Sequence, residues 1–151
     1  MRAPEARIRF GAGKTRRLAP EAFVVFRGAM RFRLTKDFTF EAAQTLPNAP
    51  EGHKCRQMHG HSFKVEVTVE GERDPVTGWF YDHADISKAM RPLLEKLDHG
   101  YLNEIPGLEN PTIENMCAWF WEKISAQCPG LAEIVVHETP TARCSLRASK
   151  K

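Results

Sequence analysis

Cys55, His59 and His61 stand within seven residues, in the segment Cys55-Arg56-Gln57-Met58-His59-Gly60-His61. In an extended backbone, residues two apart point to the same side. The two imidazoles can therefore converge on one point, and Gly60 keeps the backbone between them uncrowded. An imidazole pair suits zinc, which takes four ligands, three of them from protein in a catalytic site. A thiol four residues upstream adds a nucleophile or a base. An isolated His-Gly-His is a surface turn. Cys55 before it, and a strand pattern directly after it, favour a metal half-site whose third protein ligand comes from elsewhere.

Further along, Asp98-His99 closes a helical pattern. A histidine there can simply cap the helix at its negative dipole end. It can also be a general acid or base oriented by the neighbouring carboxylate, able to activate a thiol brought close to it. Glu138 ends an apolar strand after Val135, Val136 and His137. It is either a solvated strand end or an acceptor for the paired N–H donors of an amino-pyrimidinone ring. His83 and His137 read as structural or exposed, and Cys117 and Cys144 as core. Trp119 and Trp121 read as packing or subunit-contact residues.

The elements that must position these groups follow from hydropathy periods. Phe32, Leu34, Phe38, Phe40 and Ala42 alternate, broken at Lys36, as in a strand. After a loop with Pro47, Asn48, Pro50 and Gly52, a second strand runs over Ser62 to Glu70. It has Phe63, Val65, Val67 and Val69 on one face and Lys64, Glu66, Thr68 and Glu70 on the other. A helix begins near Asp82 to Asp85 with Ile86, Met90, Leu93, Leu94 and Leu97 in its stripe, and Pro92 is expected to bend or interrupt it. A second helix starts around Asn110-Pro111-Thr112, with Glu114 in its first turn. Leu131 to Glu138 and Thr141 to Arg147 read as two strands joined at Thr139-Pro140. The order β-β-α-α-β-β predicts an α+β domain, a four-stranded antiparallel sheet with two helices on one face.

Composition bounds the function classes. A chain of 151 residues, 42% hydrophobic and 27% charged, fits one soluble domain with a real core. No apolar run is long enough to cross a bilayer, and residues 1–30 lack a signal-peptide pattern. Four cysteines without a CxxC pair read as reduced thiols in the cytoplasm. The net charge of +3 is unevenly placed: residues 1–29 carry seven Lys or Arg against two Glu, and the remaining residues net −2. The basic arm lacks interleaved aromatics, so neither nucleic acid nor membrane is an expected partner. Residues 1–29 read as a flexible basic extension and residues 30–151 as the single domain.

In order, Phe40-Glu41-Ala42-Ala43, Cys55-xxx-His59-Gly60-His61, Leu97-Asp98-His99, Pro111-Thr112-x-Glu114 and His137-Glu138-Thr139 resemble the 6-pyruvoyl-tetrahydropterin synthase superfamily. The three-residue gap from Cys55 to His59 is similar to the 6-carboxy-tetrahydropterin synthase branch, since the pyruvoyl synthases show a longer gap. Five motifs over roughly residues 31–147 are specific together although each is weak alone. The resemblance implies a tunnelling (T-) fold, with sheets of several subunits closing into a barrel, sites between subunits, and a homohexamer built from trimers. It implies a zinc-dependent lyase that converts 7,8-dihydroneopterin triphosphate to 6-carboxy-5,6,7,8-tetrahydropterin, acetaldehyde and triphosphate, on the route to queuosine and other 7-deazapurines. By carry-over, Cys55 moves protons, Asp98 and His99 form the relay, and Glu138 anchors the pterin. Thr112, Glu114 and Thr139 line the pocket.

The chain departs from that pattern at one metal ligand. The family's third zinc histidine follows Phe-Glu-Ala-Ala, and here that position is Gln44. A neutral amide oxygen is a poor match for zinc beside imidazole, and the exchange is expected to weaken binding on the order of a hundredfold. His53 lies in the same loop but is matched by a histidine in related sequences. Three readings follow. The chain is an active synthase holding zinc with His59, His61 and Gln44 or another group. It is a pterin-binding paralogue with weakened or lost zinc-dependent activity. Or it is a related pterin enzyme, a pyruvoyl synthase or a dihydroneopterin side-chain aldolase.

Overall fold

The structure is a computed structural model that describes residues 30–149. The extension read over residues 1–29 lies outside the described residues. Strands β1 (Arg31–Gln44) and β2 (His59–Glu72) form a long antiparallel pair, from Arg31 opposite Glu72 to Gln44 opposite His59. Helix α1 (His83–Leu97) follows, then the two-residue strand β3 (Gly100–Tyr101) and helix α2 (Ile113–Ile124). Strands β4 (Leu131–Thr139) and β5 (Ala142–Arg147) close the chain. The sheet order is β3-β1-β2-β4-β5.

The α+β class and the two-helix cover agree with the sequence reading, with three differences. The sheet has five strands, not four: β3 pairs in parallel with β1, Gly100 opposite Ala42 and Tyr101 opposite Ala43. Two residues carry no period, so periodicity cannot announce such a strand. Second, β2 begins at His59 rather than Ser62, because Ala42 to Gln44 offer it a partner that far. Third, Pro92 does not interrupt α1. Pro92 and Lys88 are both exposed, away from the core, where a carbonyl that lacks an N–H partner can be solvated.

One face of the sheet is apolar. Phe40, Ala42, Phe63, Val65, Val67, Val69, Ile134 and Val136 pack with Ile86, Ala89, Met90 and Leu97 of α1 and Met116, Cys117, Phe120 and Ile124 of α2. Full burial of a side chain such as Phe63 contributes about 1.5–3 kcal/mol. Cys117 belongs to this core, and burial pushes its thiol up to about 12. Trp119 is also buried, its indole N–H donating to the Pro106 carbonyl at 3.1 Å. Both helices are capped by the first polar side chain before them: Asp82 accepts from the Ala84 N–H at 2.8 Å and Thr112 from the Asn115 N–H at 3.3 Å.

The opposite face is polar and internally paired. Glu133 is buried and receives Arg33 and Arg147, the latter at 2.7 Å. Thr35 and Thr68 hydrogen-bond at 2.8 Å, and Glu66 takes both Lys64 and His137 at 2.9 Å. Those bonds, that from Lys64 first, hold the Glu66 carboxyl below the ordinary range.

Candidate active site

The end of the apolar face carries polar groups. Gln44 continues the parity of Phe40 and Ala42, His59 and His61 that of Phe63, and Glu138 that of Ile134 and Val136. The C-terminal ends of β1 and β4 thus meet the N-terminal start of β2, and four side chains turn to the same side. His59, His61 and Glu138 place one possible ligand atom each within 4.8 Å of the others. His61 Nε2 is 3.5 Å from Glu138 Oε1. The His59 and His61 rings meet edge to face with centroids 5.1 Å apart, and His61 stacks edge-on against core Phe63.

Local structure fixes each of these groups. His59 Nδ1 is 2.8 Å from the Gln57 carbonyl, which can only accept, so Nδ1 carries the hydrogen and Nε2 its lone pair. That is the outer contact by which ligating histidines are oriented. Gly60 sits tightly against β1, since a Cβ there would lie 3.1 Å from the Ala42 carbonyl oxygen and would press it back by a few tenths of an ångström. Gln44 is fully buried. Its Nε2 donates to Glu138 Oε1 at 2.9 Å and lies 3.5 Å from His59 Nε2. The following residue is pinned by Asn103, whose amide accepts from the Thr45 N–H and donates to its carbonyl, both at 2.9 Å. Gln44 Oε1 is buried without a partner, an arrangement that costs about 1–3 kcal/mol.

This donor set fits a zinc ion. Two imidazoles and a carboxylate make a known catalytic zinc set, and 3.5 Å between His61 and Glu138 matches the roughly 3.4 Å edge of a tetrahedron with zinc-length bonds. The third donor that falls into place is Glu138, which the sequence reading assigned to the pterin ring. Its strand parity with Val136 was visible beforehand, but its nearness to the histidines depends on a pairing made in the fold.

The remaining expected site residues lie on several elements. Cys55 sits half-buried in the 3-10 turn Lys54–Arg56, its N–H donating to His53 Nδ1 at 3.2 Å. It is outside the His59, His61 and Glu138 group, and among the described residues its sulfur makes no hydrogen bond to Asp98 or His99. Asp98 Oδ1 accepts from the Glu41 N–H at 2.9 Å and lies 3.1 Å from His99 Nδ1. His99 is largely exposed and adopts a left-handed backbone, φ 58°, the strained conformation that collects at functional positions. It lines a cleft of about 430 Å³ together with Glu41, His61 and Ser62. Thr112 caps α2, Glu114 is exposed in its first turn, and Thr139 Oγ1 accepts from the Ala142 N–H at 3.0 Å across the β4–β5 turn.

Residues 33–149 match the family model described as 6-pyruvoyl tetrahydropterin synthase. The chain is 43% identical over 113 residues to the 6-carboxy-5,6,7,8-tetrahydropterin synthase of Synechocystis, covering 71% of this chain and 86% of that protein. It is 35% identical over 101 residues to the dihydroneopterin monophosphate aldolase of Pyrococcus furiosus, covering 67% and 82%. Among solved structures, the 6-pyruvoyl tetrahydropterin synthase of Caenorhabditis elegans superposes with a TM-score of 0.72 at 25% identity, covering 80% of this chain and 97% of that one. No helix among the described residues is long and apolar enough to cross a membrane. The motifs, the fold and these likenesses agree: the chain belongs to the 6-pyruvoyl tetrahydropterin synthase family and has its tunnelling fold.

Proposed function

We propose that the protein is a zinc-dependent 6-carboxy-5,6,7,8-tetrahydropterin synthase, a lyase acting on 7,8-dihydroneopterin triphosphate with release of acetaldehyde and triphosphate. The observation that carries this reading is the convergence of His59 and His61 with a carboxylate at the strand ends, in a chain 43% identical to a synthase of that name. Zinc bound there would polarise the side-chain oxygens of the substrate and acidify the carbons beside them. Cys55 takes and returns the proton at those carbons. Asp98 holds His99 through Nδ1, which leaves Nε2 free to relay that proton. Thr112, Glu114 and Thr139 are the residues proposed to contact the pterin, and the ring-anchor role that the family resemblance implies for Glu138 competes with its place beside His59 and His61. No hydrogen bond joins Cys55 to His99 among the described residues, which supports a working site at subunit boundaries of a homohexamer of two trimers, acting in the cytoplasm on the route to queuosine.

The test is turnover of dihydroneopterin triphosphate by the purified zinc-loaded chain, followed by release of acetaldehyde and of triphosphate. Cys55→Ala is expected to lose about 10²–10⁴-fold in kcat while keeping its zinc. Triphosphate release without acetaldehyde would point instead to pyruvoyl-type chemistry. Formation of a two-carbon aldehyde from dihydroneopterin monophosphate would favour the aldolase reading that the Pyrococcus relative suggests. The pterin-binding paralogue keeps one specific support, the Gln44 amide that offers nitrogen and not oxygen to the histidines. Ring binding with neither zinc uptake nor turnover would establish it.

A further inference from the structure

We infer that Glu138 is the third protein donor for zinc, replacing in space the histidine that Gln44 replaces in sequence, and that Gln44 is a positioning residue for the Glu138 carboxylate. The inference rests on the zinc-synthase reading above.

Gln44 is poorly set to be the ligand itself. An amide binds a cation through oxygen, and Gln44 turns Nε2 toward Glu138 and His59, at 2.9 and 3.5 Å, leaving Oε1 buried and unpartnered. The reverse orientation would set Oε1 against Glu138 Oε1, two acceptors face to face. The carboxylate therefore dictates which way the amide points and holds its oxygen away from the metal position. Gln44 has little freedom to swing, being fully buried and followed by a residue that Asn103 grips at both backbone groups.

Glu138 is well set. Its Oε1 faces His61 Nε2 at 3.5 Å and completes the group with His59. An anionic oxygen offsets the charge of the cation more than the neutral imidazole it stands in for, so losing the family's third histidine need not mean losing zinc. Neighbouring alternatives are engaged elsewhere: His53 Nδ1 accepts from the Cys55 N–H, and Cys55 is outside the group. A carboxylate that gives Oε1 to zinc also cannot offer both oxygens to the paired N–H groups of a pterin ring. The metal role and the ring-anchor role of Glu138 thus separate experimentally.

The experiment uses the full chain, zinc alone, and competition with a chromophoric chelator near neutral pH. Melting of the metal-free forms shows that each variant folds. The unmodified protein is expected to bind one zinc per chain. Glu138→Gln should weaken zinc by about a hundredfold or more, and Gln44→Leu by about tenfold, as for loss of an orienting neighbour. With cobalt(II) in place of zinc, Gln44→Leu should keep the absorption spectrum of the unmodified protein, and Glu138→Gln should change it. If Glu138→Gln fails to fold, Glu138→Asp is expected to fall between the two in affinity. Tight zinc in the unmodified protein with an unaltered Glu138→Gln affinity and spectrum overturns the inference alone. A spectrum that changes in Gln44→Leu but not in Glu138→Gln makes Gln44 the ligand. No zinc uptake by the unmodified protein removes the zinc-synthase reading and the inference together.

Discussion

The Asp98 carboxylate receives two hydrogens on Oδ1, from the Glu41 backbone and from His99 Nδ1. The backbone N–H of Glu41 is the larger cause, and His99 the lesser, of a carboxyl held below its ordinary value of 3.8. A carboxyl depressed on folding adds stability above pH 3.8, and that stability is lost as pH falls through the lower folded value. The carboxyl resonance of Asp98 is therefore expected to titrate below 3.8, and in His99→Ala to return only part of the way. Complete return would mean that the histidine, and not β1, holds the carboxylate. Asp98 is thus anionic across the neutral range and keeps the hydrogen on His99 Nδ1. At this scale much of the site was legible. The types and spacing of His59 and His61 told that their rings converge, as they do, and Gln44 stood out by position. Glu138 as their companion was not legible: parity tells which face a side chain takes, whereas the β2–β4 register and the irregularity between His137 and Thr139 bring it to the same end.

Elements were legible where a period was long enough to read and obscure where it was not. Both helices and the four longer strands followed from apolar spacing, but β3 and the extension of β2 to His59 owe their existence to a neighbouring strand. Pro92 shows the converse, a strong local breaker overridden by tertiary packing, since Met90 and Leu97 on either side of it are fully buried. Proline in a helix interior is about 3 kcal/mol less favourable than alanine. Its stiffening of the unfolded chain returns about 0.4–1 kcal/mol. Pro92→Ala is therefore expected to stabilise the fold by about 2 kcal/mol and to raise Tm by about 6 °C in a thermal melt. An unchanged or lower Tm would show that the exposed ring makes a contact that alanine loses.

For the whole molecule, the proposal that several copies of the chain assemble draws on both the sheet and the site. The sheet ends in two edges, a two-residue β3 and a β5 carrying Arg143 and Arg147, and open edges are closed by pairing in a barrel. The helix-free face is the one suited to a wet interior, because its charges are paired among themselves around Glu66 and Glu133. The groups proposed for catalysis add to this. Cys55 lies in the loop before β2 and His99 in the turn after α1, and among the described residues no hydrogen bond joins them. If the thiol of one subunit meets the histidine of its neighbour, two inactive variants must rescue each other. Cys55→Ala and His99→Ala, each nearly inactive alone, would form on mixing some sites that take both unmodified residues from different chains. After random reassembly at equal amounts, about a quarter of sites qualify, so about a quarter of the unmodified turnover should return. Recovery should require dissociation and reassembly, and it should fail when Cys55→Ala is mixed with His59→Ala, because those two residues would be supplied to the site by one chain. Mixed oligomers, verified by differently tagged chains, that show no recovery would place Cys55 and His99 in the same subunit's site or remove His99 from the relay.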